Sequence, residues 1–156
     1  MNYRLATSYD ASLLGRLNHE LIQDEGRRNP MTVAELTERM LGWLGKDYRA
    51  VIFERKSEPI AYALFNENED RVHLRQFYVQ RMNRRCGVGV QCMQLLFSEV
   101  WSPDKRITVD VRSHNEAGIA FWRSLGFADY MLTMEAYPHL VVRQLEPAVE
   151  EMEDVI

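Results

Sequence analysis

A chain of 156 residues with a net charge of -4, 46% hydrophobic and 27% charged, can bury a core without a metal or disulfide staple, and its acidic balance argues against a general nucleic-acid binder. Its two cysteines, Cys86 and Cys92, stand six residues apart and point to different faces of one helix, which argues against a CxxC site and a disulfide and suits free thiols in a reducing cytoplasm. The opening MNYRLATSYD has no apolar signal-peptide core and no run of roughly eighteen apolar residues exists, so neither a leader nor a membrane span is expected.

In chain order, YRLAT reads as a short strand. SYDASLLGRLNHELIQDEG follows as a helix, with Ser8 as N-cap and Leu13, Leu14, Leu17 and Leu21 at helical spacing. TVAELTERMLGWLG is a second helix, opened by a Thr32–Glu35 capping box and kept apart from the first by Pro30. YRAVIFERK, IAYALFNE and RVHLRQFYV, the last from about Arg71 to Val79, are strands joined by the turns KSEP and NENED, which implies an antiparallel meander. A helix from about Gly87 to Trp101, the strand RITVDVRS, the helix NEAGIAFWRSL closed by Gly126, and a last strand FADYMLTMEAY complete the order. The pattern β-α-α-β-β-β-α-β-α-β is mixed α/β. Beyond Pro138, HLVVRQL is expected to add a strand or cover an edge, and EPAVEEMEDVI to form a short acidic helix or a frayed end.

The stretch RMNRRCGVGVQ, residues 81 to 91, places Gly87 and Gly89 at the head of a helix that follows a strand. Glycine costs about 1 kcal/mol relative to alanine inside a helix, so the pair needs a reason. A helix start presents unpaired N–H groups and partial positive charge, and glycine lets a phosphate approach the backbone. Arg81, Arg84 and Arg85 add cationic reach. The reading is a phosphate or pyrophosphate cradle; the alternative is a Gly-rich turn with solvated arginines. It is no dinucleotide fingerprint, because Cys92 stands where the third glycine belongs, and no Walker loop, because G-K-[ST] is missing.

Arg84-Arg85-Cys86-Gly87-Val88-Gly89 resembles the R/Q-x-x-G-x-G/A loop of the GNAT superfamily, the acetyl-CoA-dependent N-acetyltransferases. Val79, five residues before Arg84, resembles that family's V-x-P-x-x-R lead-in, with Arg81 in place of proline, and NEAGIAFWRSLGF resembles its N-to-GF segment. The likeness covers roughly residues 1 to 136 in element order and 72 to 127 in motif detail. It implies a single GNAT domain over 1–137, with a central mixed, mostly antiparallel sheet of six to seven strands and helices on both faces, followed by an acidic tail over 138–156.

The resemblance also implies roles. Backbone N–H groups of about Arg85, Cys86, Gly87, Val88 and Gly89 would hold the pyrophosphate of coenzyme A, while Arg84 shapes the loop or touches phosphate. Phe77, Tyr78 and Val79 would line the cofactor arm where their strand splays from RITVDV, the Phe77 N–H polarising the acetyl carbonyl. Asn115 would contact the arm; its other reading is an N-cap. His73 takes the position of a base glutamate, and strand alternation puts it on the face of Phe77. A free imidazole titrates near ~6.5 and is suited to accept a proton near neutral pH. Asp24 and Glu25, between the first two helices, are rival groups that would bind a cationic acceptor or relay its proton, whereas Arg27 and Arg28 favour an acceptor with a carboxylate. Where the family has an acidic tyrosine this chain has Trp122, which cannot donate a proton; it would pack against the cofactor or steady the sulfur, and Tyr130, Tyr78 or water would substitute.

The expected activity is acetyl transfer from acetyl-CoA to the primary amine of a small molecule by direct attack in a ternary complex. The alternatives are a protein lysine or N-terminal acetyltransferase, and a non-catalytic coenzyme-A-binding regulator. His19, His73, His114 and His139 show no metal-ligand spacing, and no metal is expected. The expected partners are acetyl-CoA and an amine, with neither nucleic acid nor membrane. A homodimer through strand edges near the C-terminus, with the HLVV run, is compatible with the pattern.

Overall fold

The structure is a computed structural model and describes residues 1–26 and 28–153. In chain order the elements are β1 (Asn2–Leu5), α1 (Ala11–Asp24), α2 (Val33–Leu44), β2 (Tyr48–Arg55), β3 (Glu58–Glu67), β4 (Arg71–Val79), α3 (Val88–Leu95), β5 (Arg106–Val109), α4 (Glu116–Ser124) and α5 (Pro138–Glu153). The expected meander is present: β2, β3 and β4 pair antiparallel in succession. β1 adds antiparallel to β2, and β5 adds parallel to β4, giving the sheet order β1-β2-β3-β4-β5. A parallel neighbour requires a crossover, which α3 supplies. The chain divides into two compact units, Met1–Phe121 and Trp122–Ile156.

Within the first unit, α1 and α2 cover one face of the sheet. Leu14, Leu17, Leu21 and Met40 from the helices pack with Ala50, Ile52, Tyr62, Leu64 and Tyr78 from the strands. On the opposite face Phe65 meets the edge of Trp101, with ring centroids 5.4 Å apart, and Phe77 lies flat against Phe121 at 6.2 Å. α2 begins as expected, with the Thr32 side chain accepting from the Glu35 N–H and Glu35 reaching back to Thr32. α1 begins differently. A 3-10 turn over Ser8–Asp10 precedes it, and the Asp10 carboxylate accepts the Thr7 N–H at 2.8 Å, so Thr7 and Asp10 organise the start rather than Ser8. α3 runs on into a π-helical turn, Leu96–Val100.

β4 carries one surplus residue. Leu64 faces Gln76, but the next residue, Phe65, faces Leu74, leaving Arg75 without a partner on β3. Such a bulge reverses which face later side chains take. His73 pairs with Asn66 and Phe77 with Ala63. Asn66 and Ala63 are an odd number of residues apart, so His73 and Phe77 point to opposite faces. The expectation that they share a face is corrected: alternation is right for a regular strand, and the bulge breaks it. Gln76, next to the surplus residue, is 5% exposed, and its Oε1 accepts from Tyr62 Oη at 2.9 Å.

The sheet has five strands among the described residues, not six or seven. FADYMLTMEAY forms none: residues 127–137 have no regular structure, and Tyr130, Met131, Leu132 and Met134 are all exposed. Aromatic and β-branched content expresses fitness for a packed, pleated surface, and a segment without a ladder partner does not become a strand. HLVVRQL is helical rather than extended. Pro138 occupies the first helical position, where its missing N–H costs nothing, and the Tyr137 carbonyl accepts from Leu140 and Val141 N–H groups. Gly126 ends α4 as expected, at φ 98°, with the Phe127 N–H donating to Trp122 O. Residues 154–156 of the expected acidic tail lie outside the described residues. Among those described, no helix is long and apolar enough to cross a membrane.

Replacing Tyr62 by Phe leaves the Gln76 carbonyl buried without this donor. The expected loss is about 1–3 kcal/mol, a fall in Tm of roughly 3–10 °C, read by thermal unfolding.

Candidate active site

The β4–β5 ladder is short. It runs from Arg71 opposite Arg106 to Leu74 opposite Val109 and stops there; this point, where β5 ends and β4 runs on to Val79, is the fork of the sheet. The edge of β4 from Arg75 to Val79 therefore has no β5 partner. On the α1–α2 face, just short of the fork, a row of side chains crosses four strands: Tyr48, Asn66, His73 and Thr108 are successive neighbours. His73 Nδ1 is 2.7 Å from Thr108 Oγ1, and Nε2 is 3.4 Å from Asp110 Oδ2. Phe77 is on the other face, against Phe121.

The loop after β4 closes on itself. Arg84 Nε donates to the Val79 carbonyl at 2.8 Å, and its guanidinium lies over the Tyr78 ring at 5.4 Å. The Cys86 thiol donates to Asn83 O at 3.1 Å. Arg85 and Gly87 both take the left-handed conformation, φ 63° and 78°. Gly87 is thus the N-cap of α3 in a backbone conformation that side chains disfavour. Gly89 differs: a Cβ there would stand 3.2 Å from Phe121 Cε2 and Cζ, a tight contact that the ring would have to yield to by a few tenths of an ångström. One glycine turns the chain and the other lies close against a ring. Among the described residues, none accepts a hydrogen bond from the N–H groups of Arg85 to Gly89. Unpaired amides at a helix start are the kind of donors that anions use.

Asp24, at the end of α1, is bound to this loop. Its carboxylate pairs with both Arg81, at 2.8 Å, and Arg84. Burial pushes the Asp24 carboxyl up, but hydrogen bonds from Arg84 and Arg81 outweigh it and hold the group below the usual carboxylate range. Glu25 is the C-cap of α1, its N–H donating to Leu21 O. Arg28 is exposed; Arg27 lies outside the described residues. Tyr78 is 5% exposed, and its hydroxyl donates to Glu20 Oε2 at 3.0 Å. Burial, and then Glu20, pushes it up to about 12. Asn115 caps α4: its Oδ1 accepts the Gly118 N–H at 2.9 Å.

Trp122 and Tyr130 belong to the second unit. Trp122 is buried edge-on to Phe127 at 5.2 Å, and Tyr130 is 73% exposed in the irregular segment. The structure thus joins His73 to the fork, and Asp24 to the loop. It adds three residues that the sequence reading did not single out: Thr108, Asp110 and Arg75. Alternation along RITVDV could have put Thr108 and Asp110 on one face. Nothing in the sequence marks Arg75 as a bulge.

A carboxyl with a depressed folded pKa contributes stability above its unfolded pKa of about 3.9 and loses it as pH falls through the folded value. The clasp of Asp24 on the loop is therefore expected to open as pH drops below about 4. Amide protection at Asn83 and Arg84, whose N–H groups donate to Gln80 O and Arg81 O, corrected for intrinsic exchange, should fall there. Asp24→Asn should show the low protection already at pH 7.

The fold and motif have known counterparts. The model of the acetyltransferase (GNAT) family matches residues 16–127. A mutant form of the BH1408 protein from Bacillus halodurans is similar in structure, with TM-score 0.73 and 20% identity, over 88% of this chain and 99% of that one. A possible acetyltransferase from Clostridium difficile 630 has TM-score 0.73 and 16% identity, over 87% and 95%. A predicted acetyltransferase from Clostridium acetobutylicum, solved with acetyl-CoA, has TM-score 0.69 and 21% identity, over 87% and 95%. No curated protein matches the chain in sequence. With its glycine loop, its forked sheet and a family match across most of its length, the chain belongs to the GNAT family and is an acetyltransferase.

Proposed function

We propose that this protein transfers acetyl from acetyl-CoA to the primary amine of a small molecule, by direct attack in a ternary complex. The observation that carries the reading is the fork itself. An anion-ready loop and an open β4 edge lie on the approach to it, and a histidine stands at its base on the opposite face of the sheet. Donor and acceptor then meet through the fork from two sides.

The residues fit acetyl-CoA. The N–H groups of Arg85, Cys86, Gly87, Val88 and Gly89 have no acceptor among the described residues and are available to a pyrophosphate. Arg84, committed to Val79 O and Asp24, holds the loop's shape rather than phosphate. The β4 backbone at Phe77, Tyr78 and the Val79 N–H offers an edge for the cofactor arm, the Val79 carbonyl being taken by Arg84, with the Phe77 N–H as donor to the acetyl oxygen. Bound acetyl-CoA supplies an activated acetyl thioester. His73 takes the proton that the amine loses as its nitrogen bonds to the acetyl carbon and the C–S bond breaks; the sulfur leaves with the bonding pair and is protonated by solvent. A thiol of pKa near ~8.5 is a good enough leaving group without a dedicated acid. Tyr78 is unsuited to that part, being bonded to Glu20 and pushed up to about 12. Thr108 steadies the imidazole from the Nδ1 side.

Two measurements test this. Calorimetric titration should show acetyl-CoA binding that Gly87→Glu weakens at least about tenfold, because the carboxylate repels phosphate and the left-handed φ is strained. Unchanged affinity would remove the cradle. His73→Ala should lower kcat by about 100-fold with acetyl-CoA affinity retained. An unchanged kcat returns His73 to a structural role.

A further inference from the structure

The first residues beyond the end of the β4–β5 ladder are Arg75 and Asp110. They carry opposite charges, and contacts put both on the face of His73. Asp110 Oδ2 is 3.4 Å from His73 Nε2, with a side chain 94% exposed. Arg75 is held by rings. Its guanidinium carbon is 4.6 Å from the Trp43 ring centroid and 5.7 Å from that of Tyr48, and Nη1 donates to Tyr48 Oη at 3.2 Å. Among the described residues no carboxylate pairs with Arg75. Aromatic contact orients a guanidinium while leaving most of its donor fork open. Asp24, the carboxylate that would otherwise draw a cation to the end of α1, is already paired with Arg81 and Arg84.

These two charges have complementary uses. An exposed carboxylate beside His73 attracts an ammonium and brings its proton within reach of the imidazole. The guanidinium of Arg75, two residues further along the strand and held at the Trp43 and Tyr48 rings, matches a planar oxyanion with two parallel hydrogen bonds.

We propose that the acceptor is a dipolar amine, a small molecule with a carboxylate a few bonds from its amino group, as in an amino acid. Asp110 and His73 receive the amino end, and Arg75 receives the carboxylate. This deepens the transferase reading and rests on it. A polyamine would set its second ammonium against Arg75, which discriminates by repulsion as well as by lost attraction.

The test is a thiol-release assay on the full chain with an amino acid, the matching carboxamide and a diamine of similar length. The amino acid should be preferred by about tenfold or more in kcat/KM, with the difference in KM. Arg75→Gln should bring the acid-to-amide ratio close to one. Arg75→Lys, which keeps the charge and loses the fork, should fall between. Calorimetric acetyl-CoA binding checks that each variant is folded. Equal turnover of the amide or the diamine, or a ratio that Arg75→Gln does not move, overturns the inference and leaves the transferase reading standing. Absence of thiol release with all three amines, while acetyl-CoA still binds, overturns both.

Discussion

One surplus residue in β4 governs the arrangement of the site. Without it, His73 and Phe77, four positions apart, would project from the same face, and the α1–α2 side would hold the aromatic ring that instead stacks on Phe121. With it, the strand presents its histidine to one side and its phenylalanine to the other. The bulge sits directly after the last residue paired with β5, so the change of face and the parting of the strands coincide. A buried amide guards this point. Gln76 meets the Tyr62 hydroxyl in the core under α1, and sliding β4 by one residue would take Gln76 away from its partner.

The loop after β4 is held from both ends by charge. Arg84 reaches back to the Val79 carbonyl and across to Asp24, and Arg81 reaches the same carboxylate. The end of α1 and the glycine turn are thereby coupled through a single carboxylate. This arrangement engages the side chains of Arg81 and Arg84 and leaves the backbone amides of Arg85 to Gly89 without an acceptor among the described residues. It suits a phosphate site whose charge comes from a helix start and whose side chains serve as scaffolding. Family membership places acetyl-CoA among the ligands that GNAT enzymes use.

Much of this was legible in the chain. The capping box at Thr32, the meander, the glycine loop and the C-terminal glycine of α4 are local features, each set by a few adjacent residues. The last expected strand was not, since a strand exists only with a partner, and the segment 127–137 carries strand-like residues without a ladder. HLVV misled in the same way. Its β-branched residues suggested extension, but a proline at the first helical position and the Tyr137 carbonyl began a helix. Asp24 was visible as a carboxylate near the site, yet its partners, Arg81 and Arg84, lie nearly sixty residues away and could not be read from spacing.

The sequence by itself determined the family, the order of most elements, and the loop built on Gly87 and Gly89, because these depend on residue type at short range. Only the tertiary structure decided which face each functional side chain takes. That depends on pairing between strands: one unpaired residue, Arg75, reverses the alternation, and just past the end of the β4–β5 ladder Asp110 comes to lie beside His73. Neither effect has a local signature, since a bulge is defined by the register of its neighbour and a fork by where a ladder ends.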